Sequence, residues 1–104
     1  MNTKLVIFSV LLFAASCSKE LVQLSQSDAD RASVKFPGTT LAELQQGKDL
    51  YEGTCNKCHG LKEPSSRNEK QWNHIVPIMA HKAKIDDQKE ALILKYLVTM
   101  GKSN

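Results

Sequence analysis

Five consecutive residues, Cys55-Asn56-Lys57-Cys58-His59, constrain this chain more than any other feature, because they crowd two thiols and an imidazole into little more than one helical turn. Cysteines three apart lie on one side of such a turn, and His59, four residues after Cys55, projects from the same side. A group of this kind can hold the edge of a flat macrocycle through both sulfurs while offering a nitrogen to the metal at its centre. The pattern is that of covalent haem attachment, with Cys55 and Cys58 as thioethers and His59 as the proximal iron ligand, giving one haem c as the cofactor.

Two other uses of the cysteine pair fit less well. A thioredoxin-like redox pair would follow a strand in a βαβ unit, and no such pattern precedes Cys55. A zinc site would need two further ligands. His74 and His81 are separated by six residues, wider than the usual spacing of about three to five.

The rest of the chain explains why a large cofactor is needed. Residues 1–16 read as a secretory signal that is removed: Lys4 gives a positive start, Leu5 to Ala15 form a nearly unbroken apolar run, and Ala14, Ala15 and Ser16 are small. Eleven helical residues rise only about 16 Å, short of the roughly 30 Å hydrocarbon core, so the run does not span a membrane. Cys17 follows directly and resembles the modified cysteine of the bacterial lipoprotein lipobox, although Ala14 stands where leucine is usual. That resemblance implies lipidation of Cys17, a membrane anchor, and a place on the periplasmic or cell-envelope face of a bacterial membrane; simple cleavage of the signal without lipidation is the alternative.

Residues 17–38 read as a polar tether, closed by the Pro37-Gly38 turn signal, with Leu21, Val22, Leu24, Val34 and Phe36 leaving packing against the domain open. Residues 39–104 then form the folded domain. At that size an apolar core alone supplies about 3 to 5 kcal/mol, and a staple is usually needed. A covalently tied haem is such a staple.

The class is all-α, with three to four short helices, because no window shows strand-like alternation. Thr40 and Glu43 stand in the capping-box relation and predict a helix to about Glu52, with Leu44, Gly47 and Tyr51 on one face and Gly47 admitting a close neighbour. A second helix is predicted over 69–76, with Trp72 inward and Pro77 interrupting it. A third begins at Asp86 and Asp87, carries Leu92, Ile93, Tyr96, Leu97 and Met100 as its apolar stripe, and ends at Gly101.

On these residues the chain resembles the small monohaem class I cytochromes c, from about Thr40 to Lys102. Gly47, Tyr51 and Cys55 stand at the four-residue intervals of that family's first helix, and the run from Met79 through Asp86 and Asp87 to Lys95-Tyr96-Leu97 is similar to its ending. The resemblance implies that fold and electron transfer. It also suggests that the Pro64 carbonyl accepts a hydrogen bond from the histidine ligand, although Pro64 lies closer to His59 than is usual there. A proline that merely stiffens the loop is the alternative.

Methionine is the common sixth ligand of electron-carrying haem, since its soft thioether favours ferrous iron. Met1 leaves with the signal and Met100 sits at the end of the last helix, so Met79 is the candidate distal ligand. It is seven residues beyond Trp72, on the same helical face if the helix passes Pro77. His74 or His81 as ligand, or an open iron, are the alternatives. Trp72 belongs to the haem environment, through its ring against the haem edge or its indole nitrogen on a propionate, or is a core aromatic.

The function expected is therefore a membrane-tethered carrier of single electrons between redox protein partners, not an enzyme and without a small-molecule substrate. Rival readings are an electron-delivering subunit of a larger oxidoreductase and a ligand-binding or peroxide-handling haem protein with a labile sixth ligand. Lys57, Lys62, Lys82 and Lys84 can ring an exposed edge and steer acidic partners. Without Lys4 the chain has 13 basic and 11 acidic residues, and the absence of a concentrated basic face argues against nucleic acid.

Overall fold

The computed structural model describes residues 23–55 and 61–104, so the expected signal over 1–16, Cys17, Cys58 and His59 lie outside the described residues. Among the described residues four α-helices follow in order: α1 (Gln26–Lys35), α2 (Leu41–Thr54), α3 (Glu69–Ala83) and α4 (Asp87–Met100), with a 3-10 turn at Pro64–Ser66 before α3. The described residues contain no strand, only an isolated bridge between Asn68 and Lys102, so the class is all-α as the sequence predicts. No described helix is long and apolar enough to cross a membrane.

Each helix start is fixed by a side chain that takes up an otherwise unpaired amide. Thr40 Oγ1 accepts the Glu43 N–H at 3.1 Å, and Asp86 accepts that of Lys89 at 2.8 Å. The reciprocal half of the predicted capping box on α2 is not made. Glu43 turns instead to Lys95 on α4, at 3.0 Å, where an opposite charge outcompetes a backbone amide. A complete box occurs on α3: the Asn68 N–H donates to Gln71 Oε1 at 2.9 Å and the Gln71 N–H to Asn68 Oδ1 at 3.0 Å.

The main core gathers Tyr51 of α2, Trp72 and Val76 of α3, and Ile93, Tyr96, Leu97 and Val98 of α4. Its tightest point is the crossing of α2 on α4. A Cβ placed on Gly47 would lie 2.2 Å from the Leu92 carbonyl oxygen and 3.0 Å from Tyr96 Cβ, so only glycine permits this approach.

Two segments depart from the sequence expectation. Pro77 does not interrupt its helix, and α3 runs through it to Ala83. Proline removes the N–H that would bond the Asn73 carbonyl, but Pro77 and Asn73 both face solvent, where water can satisfy that carbonyl. The end of α3 is set later, at Lys84, which adopts the left-handed conformation while the Ile85 N–H closes on the Ala80 carbonyl at 3.1 Å.

The second departure lies within residues 17–38. The part predicted as polar tether contains α1, whose Ala29 and Ala32 are buried against Leu44. Two alanines three apart carry little hydropathy among Ser, Asp and Arg neighbours, yet their smallness lets the helix backbone dock closely. Arg31 donates to the Thr99 carbonyl at 3.2 Å near the end of α4, where helix carbonyls lack partners, and Lys35 pairs with Glu69 of α3.

Candidate functional site

Cys55 caps the C-terminus of α2, its N–H donating to the Tyr51 carbonyl, so this cysteine stands at the end of the helix that carries Gly47 and Tyr51. Beside it opens a cavity of about 110 Å³. Its walls are Tyr51 and Cys55 from α2, Leu61, Lys62 and Arg67 from the connecting segment, and Trp72, Ile75 and Met79 from α3. The continuous helix through Pro77 is what brings Met79 here, because Trp72, Ile75 and Met79 recur at three and four residues along one face.

Of the sequence-predicted site residues, Cys55, Trp72 and Met79 meet at this cavity, while His74 and His81 are exposed and do not line it. Cys58 and His59 fall outside the described residues. No group of three or more metal-binding side chains occurs among the described residues, so the zinc alternative gains nothing there.

Pro64 stands just behind the wall. Its carbonyl accepts the indole N–H of Trp72 at 2.9 Å, a buried hydrogen bond, and Trp72 has no exposed surface. The indole nitrogen therefore meets a backbone carbonyl, not an outside carboxylate such as a propionate. The Arg67 guanidinium lies over the same ring, 5.1 Å from its centroid, a cation–π contact. Gly101 packs against the same ring: a Cβ there would come within 3.0 Å of the Arg67 carbonyl and 3.3 Å of Trp72 Cδ1. Its φ of −69° is ordinary, so glycine is required at the end of α4 for close approach and not for a left-handed turn.

Tyr51 is the other organising group. Its hydroxyl donates to the Lys62 carbonyl, which pins the segment following the motif to α2. Its ring meets Trp72 edge-on, with centroids 6.1 Å apart at 80°, and Tyr96 at 6.1 Å and 50°. Burial, with a further push from Cys55, raises its phenol from 10.0 to about 12, against the opposing influence of Arg67 and the hydrogen bond to Lys62. Sequence spacing placed Tyr51 in the helix packing; nothing in the pattern marked Arg67, which arrives from an irregular segment without periodicity.

What fold and cavity define is a small all-helical protein that sets a thiol and a thioether around one mainly apolar space. Over 48 residues the chain is 40% identical to the cytochrome c-type protein TorC of Escherichia coli O157:H7, a stretch that makes up 46% of this chain and 12% of that protein. The similarity to a c-type cytochrome is thus confined to a small part of a longer relative. No family model matches the chain, and no solved structure does.

The residues present suit a haem. Sulfur donors favour soft metal centres, the described walls contain no carboxylate that would stand against a macrocycle, and aromatic and aliphatic side chains make up much of the lining. Because 110 Å³ is well below the roughly 300 to 1,000 Å³ of an ordinary ligand pocket, the space bounded by the described residues accepts an edge of a flat molecule and leaves the remainder outside.

Proposed function

We propose that this chain is an exported, lipid-anchored c-type cytochrome that carries single electrons between redox protein partners at the periplasmic or cell-envelope face of a bacterial membrane. Cys55 and Cys58 would hold the haem as thioethers, His59 would bind the iron on the proximal side and Met79 on the distal side, and Cys17 would carry the lipid. The observation that carries the reading is that Cys55 and Met79, from different helices, line one cavity while His74 and His81 do not.

Bound haem c supplies a one-electron Fe(III)/Fe(II) couple. The chain's part is to keep that couple closed to outside ligands and in reach of a partner. Tyr51, Trp72 and Ile75 keep water from the cavity, and Met79 brings a thioether that favours the ferrous state. Lys62 and Arg67 place positive charge at its wall, which also favours the reduced state and attracts acidic partners.

The test is a spectrum of the purified protein in both oxidation states. A carrier with closed coordination shows the weak long-wavelength band of methionine–iron bonding when oxidised and does not take up carbon monoxide rapidly at neutral pH when reduced. An oxidised protein without that band, combined with rapid carbon monoxide binding, would replace this reading with that of a ligand-binding haem protein.

A further inference from the structure

Met79 can serve as a ligand only while α3 keeps one rotation and one height relative to the attachment segment, and one buried contact ties those two parts together. Trp72, in the first turn of α3, donates its indole N–H to the carbonyl of Pro64 at 2.9 Å. Pro64 is itself buried, and the other N–H on its carbonyl, from Arg67, is long at 3.4 Å. If α3 turned or slid so that Met79 left the cavity, Trp72, seven residues earlier on the same face, would leave with it. Among the described residues no other good donor would then reach the buried carbonyl of Pro64, and an unpaired buried polar group is costly.

Three further neighbours hold the ring. Arg67 stacks at 5.1 Å, Gly101 packs so closely that no Cβ fits without displacement, and Tyr51 meets the ring edge-on. Trp72 thus has one position, fixed by four neighbours that belong to α2, the connecting segment and the tail of α4. We propose that Trp72 is a positioning residue for the distal ligand, its hydrogen bond to Pro64 locking α3 in the placement that presents the Met79 thioether. This rests on the reading of Met79 as the sixth ligand.

The experiment is a titration of the oxidised holoprotein with imidazole, which competes with the methionine for the iron and is followed by loss of the methionine–iron band. Trp72→Phe keeps an aromatic ring and removes the donor. It is expected to retain covalent haem and the band yet bind imidazole about fivefold to tenfold more tightly, the factor that corresponds to one lost buried hydrogen bond. Val98→Ala lowers core stability without touching this bond and is expected to leave imidazole affinity within about twofold. A folded Trp72→Phe protein with unchanged affinity, or a Val98→Ala protein with the same increase, would overturn the role. Should Trp72→Phe not fold, benzothienylalanine at position 72 preserves the bicyclic shape without the N–H, and the same two outcomes decide. A wild-type protein that lacks the band altogether would refute the ligation itself, and with it this role, before any variant is compared.

Discussion

The Leu92 carbonyl oxygen occupies the space beside Gly47 so fully that a methyl group on Gly47 would sit 2.2 Å from it. The crossing of α2 and α4 is therefore a backbone-to-backbone contact, and it sets the angle at which α2 delivers Cys55 to the cavity.

Gly47→Ala should accordingly destabilise the protein despite alanine's better helix propensity, by about 2 to 3 kcal/mol from overpacking against a main-chain atom that cannot rotate away. A urea unfolding curve of the holoprotein checks this, with an unchanged slope and a lower midpoint expected. A midpoint at or above that of the parent would show that the helices can separate without cost.

The end of α3 makes the opposite prediction. Lys84 holds φ 57° and ψ 42°, a conformation that costs a residue with a Cβ roughly 1 kcal/mol. Lys84→Gly should raise stability by a few tenths to about 1 kcal/mol, and Lys84→Val should lower it by more than that. Thermal unfolding of the two variants side by side gives the order.

Alkaline pH should unfold the protein through its buried phenols. Burial raises both Tyr51 and Tyr96 from 10.0 to about 12, with Glu52 adding to the effect on Tyr96. A group whose folded value is raised contributes stability that is complete below the unfolded value, so this contribution is present below about pH 10 and is lost as pH rises through 12. The urea midpoint measured from pH 9 to 12 should fall across that window, and Tyr96→Phe should flatten the fall.

Met79→Ala should leave the haem attached, since the thioethers lie elsewhere, while opening the iron. The midpoint potential is expected to drop by on the order of 100 mV, a small part of the roughly 0.8 V that axial ligation spans. Redox titration and carbon monoxide binding check this. A potential equal to that of the parent would move the sixth ligand to another residue.

How much of this was legible in the sequence depends on what kind of signal each residue carries. Periodicity and capping placed α2 and α4 and assigned Gly47 to a close crossing, because helix spacing and an N-cap side chain act locally. Pro77 misled because a proline's cost depends on whether the carbonyl it orphans can meet water, and the exposure of Asn73 is a tertiary fact. Helix α1 was hidden because Ala29 and Ala32 seal an interface by being small, which hydropathy does not register. Around the cavity, Cys55, Trp72 and Met79 were visible through chemistry and spacing. Arg67 and the Trp72 to Pro64 bond were not, since irregular segments are positioned by contacts such as the Lys102 N–H on the Arg67 carbonyl at 3.0 Å, which no local pattern encodes.

The central claim is the covalent haem, and it is tested most directly by staining for haem after denaturing electrophoresis of the protein matured in a host that attaches haem c. A haem-stained band is expected at the position of the parent chain, and none for the Cys55→Ala, Cys58→Ala double variant. Staining that survives in the double variant, or a parent chain that never stains, would contradict it.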